Sequence, residues 1–211
     1  MVKLSVLFLS SFVIALSGAL MPGPLLTATI GESARWGLRA GPLLILGHGL
    51  LEVALLVALL FGLAPLLRRD AVFAALALVG AAILLRISVG MLRSPSLEDP
   101  TGSVTQSGSL VLNGAFLSLA NPYWSLWWAT IGLGYVLYSK QFGPAGIAAF
   151  FVGHISADLA WYTAVAVAIA KGRRFFSDRS YRWLIQACAF LLFLFAGIFF
   201  VMGLQKAGLL R

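Results

Sequence analysis

The chain has 211 residues, 61% of them hydrophobic and 10% charged, with a formal net charge of +8. The water-facing surface of a soluble domain requires about 25% charged residues, so a soluble globular protein is excluded. The positive charge sits in short segments between apolar runs, where basic residues set membrane orientation rather than grip phosphates, and a nucleic-acid partner is excluded with it. The single cysteine, Cys188, permits no intramolecular disulfide and no thiolate cluster.

Residues 4–31, 101–139 and 184–205 contain no Asp, Glu, Lys or Arg. Each is long enough to cross a hydrocarbon core of about 30 Å, which takes roughly 20 helical residues. Six candidate spans follow in chain order, at 4–30, 40–67, 71–92, 110–138, 143–170 and 183–206. They must be helices, because irregular backbone facing lipid leaves amides unsatisfied, and none of the runs alternates with the period of two that a membrane barrel needs. The longest soluble stretch, 93–109, is rich in Ser, Thr, Gly and Pro and reads as a flexible linker. The expected organisation is a single transmembrane domain over 1–211: a first three-span repeat at 1–93, a polar linker at 94–109 and a second three-span repeat at 110–211.

The two halves echo each other. Leu16-Ser17-Gly18-Ala19-Leu20-Met21-Pro22-Gly23-Pro24 is matched by Leu117-Ser118-Leu119-Ala120-Asn121-Pro122, and Ala28-Thr29-Ile30-Gly31 by Ala129-Thr130-Ile131-Gly132. Gly47-His48-Gly49-Leu50-Leu51-Glu52 is matched by Gly153-His154-Ile155-Ser156-Ala157-Asp158. Three matches in the same order, taking in both histidines of the chain, point to a duplication. Because each repeat holds an odd number of spans, the second must enter the membrane from the opposite side. The expected fold is therefore an all-α polytopic membrane protein of six transmembrane helices, arranged as two inverted three-helix repeats.

Pro22-Gly23-Pro24 and Asn121-Pro122 fall inside apolar runs, where proline removes a backbone donor and clashes with the preceding turn. Broken helices at membrane depth survive where the freed groups are buried or line a polar cavity. Paired breaks at corresponding positions of two repeats mark a transporter's binding site, since half-helix ends aim their dipoles at the substrate. Pro22, Gly23, Pro24, Asn121 and Pro122 are the candidate substrate-binding residues.

Glu52 and Asp158 are the only acids well inside the predicted spans, and each follows a histidine by four positions. That spacing puts His48 with Glu52, and His154 with Asp158, on one helix face. Intramembrane acids are costly and mark ion or proton pathways, and imidazole exchanges protons near neutral pH. These four are the candidate proton- or ion-coupling residues. Two imidazoles and two carboxylates meeting at the centre would equally be ligands for zinc, manganese or a similar cation.

Arg86 sits near the end of the third span without a counterpart in the second half; snorkelling to the interface is the first reading and holding a substrate carboxylate the second. Trp124, Trp127 and Trp128 follow the second break, where an interfacial belt and a cavity wall are equally good readings. The chain holds no nucleophile setting, phosphate loop or Cys-x-x-Cys, so neither an enzyme nor a cofactor is expected, and any transport is driven by a gradient or passive.

With Pro-Gly-Pro in the first span, Gly-His-x-x-x-acid in the second and Asn-Pro opening the fourth, the chain resembles the LysE-type amino-acid exporters over essentially its whole length. The resemblance implies a multi-pass protein of the prokaryotic inner (plasma) membrane. Its partners would be the lipid bilayer and a small-molecule substrate, with self-association left open. It implies secondary-active, proton-coupled export of amino acids such as lysine, threonine or homoserine, or of similar small polar metabolites. The wider superfamily to which the similarity also points includes exporters of cadmium, manganese and nickel, which keeps divalent metal cation export as the alternative. The paired Gly-His-x-x-x-acid motif is more symmetric here than in the amino-acid exporters.

Eight basic residues flank one membrane face (Arg35, Arg39, Arg93, Lys171, Arg173, Arg174, Arg179, Arg182) and six the other (Lys3, Arg68, Arg69, Lys140, Lys206, Arg211). The positive-inside bias makes the first face cytoplasmic and places both termini outside. A cysteine introduced after Arg211 should then react with an impermeant thiol reagent in intact cells, and labelling only after lysis would refute this orientation.

Overall fold

The computed structural model describes residues 2–67, 69–93, 109–172 and 178–210. The described residues are helical with no strand. The 94–108 part of the expected linker lies outside them, as do Arg68, Arg173, Arg174 and Arg211. The helices are α1 (Val2–Ala19), α2 (Pro24–Trp36), α3 (Ala40–Leu60), α4 (Ala64–Leu67), α5 (Asp70–Arg93), α6 (Leu110–Leu119), α7 (Pro122–Trp127), α8 (Leu133–Lys140), α9 (Gly143–Gly172) and α10 (Asp178–Lys206). A 3₁₀ turn at Gly37–Arg39 joins α2 to α3, and a π-helical turn at Trp128–Gly132 joins α7 to α8.

Five stretches are long and apolar enough to cross a membrane: Val2–Ala19, Pro24–Leu60, Asp70–Leu92, Gly143–Gly172 and Arg182–Lys206; Leu110–Leu119 is a shorter apolar helix. The sequence breaks lie where the prolines put them. The first span stops at Ala19 and restarts at Pro24, and the fourth stops at Leu119 and restarts at Pro122. Each restart has proline in the first turn, where its missing N–H costs nothing.

Two boundaries differ from the hydropathy reading. The first span was expected to end at residue 30, but α2 runs on to Trp36, because Glu32 and Arg35 end an apolar run without ending a helix. Glu32 is buried, with Arg35 at 3.9 Å. The helix ends instead at Gly37, whose φ of 64° is open to glycine. The second span was expected to reach 67, but α3 ends at Leu60 and Gly62 turns the chain at φ 101°.

Three pairings hold the bundle together: α5 with α10, α1 with α9, and α3 with α6. In the first, Ala77, Ala81, Ala189 and Ala196 are buried among Leu84, Leu192 and Phe199, and Ser88 Oγ donates to the Ala189 carbonyl at 2.8 Å. Lipid tails are as apolar as leucine, so small residues and interhelical hydrogen bonds supply the association.

The other two crossings are built alike. A Cβ on Gly47 of α3 would run into the Val111 carbonyl of α6, and a Cβ on Gly114 of α6 into the Leu44 carbonyl of α3. A Cβ on Gly153 of α9 would run into the Phe8 carbonyl of α1, and Ser11 of α1 donates to the Phe150 carbonyl of α9 at 2.7 Å. In both crossings the two contact points on each helix are three residues apart: 44 and 47 match 150 and 153, and 111 and 114 match 8 and 11. The glycine of each Gly-His pair is thus the point of closest helix approach, and the histidine beside it is carried into the space between the helices.

Gly47→Ala and Gly153→Ala should each lower the thermal midpoint of the purified protein, at a cost of about 1–3 kcal/mol for overpacking. Gly134→Ala, where an added Cβ meets nothing within 4 Å, should leave it unchanged. Equal midpoints for all three would contradict the crossings.

Candidate functional site

His48 and Glu52 lie one turn apart on α3, and His154 and Asp158 one turn apart on α9. Since α3 packs against α9, the two faces meet. One donor atom from each of the four residues lies within 4.8 Å of all the others. His48 Nε2 is 3.1 Å from Glu52 Oε1 and 3.8 Å from Asp158 Oδ2. His154 Nε2 is 3.1 Å from Glu52 Oε2 and 3.4 Å from Asp158 Oδ2. All four side chains are buried, Glu52 being 1% exposed.

The surrounding shell fixes some of these atoms and leaves others free. The indole N–H groups of Trp128 and Trp124 donate to Glu52 Oε1 at 2.8 and 3.1 Å. The two tryptophans are four positions apart and so share a face. They supply the hydrogen bonds that a buried carboxylate demands. Ser118 Oγ lies 2.7 Å from His48 Nδ1. The rings of Trp127, Trp128 and Phe150 surround His154, with centroids 4.8, 5.5 and 6.1 Å away. Glu52 Oε2, Asp158 Oδ2 and His154 Nδ1 are buried without an aligned hydrogen-bond partner. Buried polar atoms are rarely left so, and two of the three are carboxylate oxygens facing the centre.

A cavity of about 50 Å³ opens on this cluster, lined by all four residues with Ser118, Asn121, Tyr123, Tyr162 and the three tryptophans of the second break. At 10–15 Å³ per water, it holds about three to five waters. A second, narrower cavity of about 10 Å³ is lined by Met21, Pro22, Gly23, Pro24, Asn121 and Tyr123, closed by Leu84, Leu192, Phe195 and Phe199. Asn121 and Tyr123 line both. The two breaks face each other, a Cβ on Gly23 lying 3.3 Å from Asn121 Nδ2. Asn121 caps α7, its Oδ1 accepting from the Tyr123 amide at 3.1 Å.

The structure thus gathers His48, Glu52, His154 and Asp158 at one point and sets Pro22, Gly23, Pro24 and Asn121 beside it. Pro122 instead packs on α5, where a Cβ on Gly80 would meet its ring. Arg86 is exposed on α5 and lines neither cavity. Of the two readings of the tryptophans, the wall holds. A model of the LysE type translocators matches residues 16–203. The chain belongs to that family. It is a translocator of the membrane, and membership supports an exporter role with a small-molecule substrate. No curated protein and no solved structure matches the chain.

Ser118 and Tyr162 were not singled out in the sequence. Ser118 stands in the repeat match one turn before Pro122, and its place in an otherwise apolar span was the available signal. In this LysE-type chain, Trp128→Phe removes the shorter hydrogen bond to Glu52 and trims the buried indole to a phenyl ring. It should destabilise the protein by about 1–3 kcal/mol, the cost of leaving a buried acceptor short of a donor. Trp183→Phe, at a residue 68% exposed, should not. Thermal unfolding of the two variants side by side decides.

Proposed function

We propose that the chain is a secondary-active exporter of divalent transition-metal cations, built as six spans in two inverted repeats, with the His48–Glu52–His154–Asp158 cage as its transport site. The observation that carries this reading is the spacing of the four donors. A cation bound tetrahedrally at about 2.0–2.1 Å from nitrogen and oxygen ligands separates its ligands by about 3.4 Å; the four imidazole–carboxylate distances here run from 3.1 to 3.8 Å, within a set of donors no more than 4.8 Å apart. Two imidazoles with two carboxylates suit zinc, manganese and their neighbours. Two ionised carboxylates carry −2, which a dication neutralises at membrane depth. Neither Lys nor Arg lines the cavity. The inverted repeat is supported by the two like-built crossings, which relate α1 and α9 to α6 and α3.

Proton-coupled amino-acid export is the second reading, and the facing breaks favour it. On that reading the substrate sits between Pro22-Gly23-Pro24 and Asn121, and the cage carries the coupling proton. Its difficulty is room, since the break cavity is no larger than a single water needs, and among the described residues no Lys or Arg lines either cavity to take a substrate carboxylate.

A ligand that binds the native state raises apparent stability with the logarithm of its concentration over Kd. Thermal unfolding of the purified protein against a panel of divalent cations and amino acids should show a rise with manganese, zinc or a similar ion, lost in Glu52→Gln and Asp158→Asn. A rise with an amino acid and none with any cation would overturn the cation reading in favour of the second.

A further inference from the structure

We propose that Ser118 is a positioning residue for the cage, holding His48 in the one tautomer that turns a free nitrogen lone pair on the transported ion. This rests on the cation reading of the site. Ser118 has a single hydroxyl proton. The hydroxyl donates to the Gly114 carbonyl one turn back, at 2.7 Å, the usual back-bond of a helical serine. Toward His48 Nδ1, also at 2.7 Å, the oxygen has only lone pairs to offer, so Nδ1 carries the hydrogen and Ser118 accepts it. In the neutral ring the other nitrogen, Nε2, is then unprotonated, and it is Nε2 that faces Glu52 Oε1 and Asp158 Oδ2. A lone pair set against two carboxylate oxygens repels them unless a proton or a metal cation stands between, and on the cation reading it is the metal. Metal-bound histidines are ordinarily fixed through their second nitrogen in this way.

The other half of the site has no such device. His154 Nδ1 is buried and without a partner. The sequence match sets Ser118 against Ser17, but the two like-built crossings are two positions out of that register, and in them Gly114 corresponds to Ser11. The residue four positions after Gly114 is Ser118, and the residue four after Ser11 is Ala15, which lines the same cavity but has no hydroxyl. Two histidines equivalent in sequence are therefore unequal in the structure. His48 is held through both ring nitrogens, and His154 through Nε2 alone.

Cobalt(II) is the probe, because its visible bands report the ligands and geometry around it. The purified full-length protein in detergent is titrated with cobalt as wild type, Ser118→Ala and Ser118→Thr, with the thermal midpoint of each metal-free variant recorded. Wild type should bind one cobalt per chain. Ser118→Ala should bind 10–100-fold more weakly, the usual loss for an outer-shell partner, with bands altered toward fewer nitrogen ligands. Ser118→Thr, which keeps the hydroxyl, should stay within a few-fold of wild type. Cobalt binding by Ser118→Ala with wild-type affinity and bands would overturn the role of Ser118 and leave the cation reading standing. So would Ser118→Thr falling with Ser118→Ala while its metal-free midpoint stays at the wild-type value. A wild-type protein that takes no cobalt, zinc or manganese would strike the cation reading itself.

Discussion

The structure turns on the burial of two carboxylates. Glu52 and Asp158 sit inside the bundle of a chain whose outer surface is apolar, where an unpaired charge is far more costly than in water. Every feature of the site answers that cost. Two indoles and His48 close on one oxygen of Glu52, His154 reaches both of its oxygens, and Asp158 shares both imidazoles. What the protein leaves undone is informative, because Glu52 Oε2 and Asp158 Oδ2 keep no aligned donor. On the proposed reading such a site is completed by something positive that comes and goes.

Backbone packing makes the meeting possible. Gly47 and Gly153 allow α3 and α9 to press against carbonyls of α6 and α1, and each histidine follows its glycine directly. A side chain at either glycine would push the helices apart and widen the cage beyond the span of a single ion. The breaks serve the same centre from another direction. Stopping α6 at Leu119 and restarting at Pro122 carries Trp124, Trp127 and Trp128 inward. The π-helical turn after them packs its own Gly132 beneath the Trp127 and Trp128 rings, an instance of the π-bulges found at functional sites.

Much of this was legible in the sequence, for identifiable reasons. Proline inside an apolar run leaves few structural choices, so both breaks could be placed to within a few residues. The four-residue spacing of histidine and acid, repeated in both halves, predicted which side chains would share a face. Helix ends were less legible where they depended on other physics. Hydropathy stopped the first span before Glu32, although a helix tolerates a buried Glu with an exposed Arg one turn on, and it carried the second span past Gly62, where backbone conformation rather than polarity decided. The role of Ser118 was hidden for a different reason. A serine in a membrane helix bonds its own backbone by default, and only the placement of His48 across the crossing turns that local bond into a constraint on a ring 70 positions away in sequence. The inequality of the histidines was likewise invisible, since the sequence match makes them equivalent.

Family membership supports an exporter role, and the proposed function narrows the question to what occupies one small cage of two imidazoles and two carboxylates. On the proposed reading a tetrahedral cation accounts for the donor spacing, the unpartnered oxygens and the size of the cavity together, whereas protons on the imidazoles account for the spacing and leave Glu52 Oε2 and Asp158 Oδ2 without an aligned donor. The most direct test is anomalous X-ray diffraction from crystals of the protein grown with manganese or zinc. The account predicts a single intramembrane anomalous peak within about 2.0–2.2 Å of His48 Nε2, His154 Nε2 and carboxylate oxygens of Glu52 and Asp158. Crystals grown with a saturating cation that show no peak at this centre would contradict it.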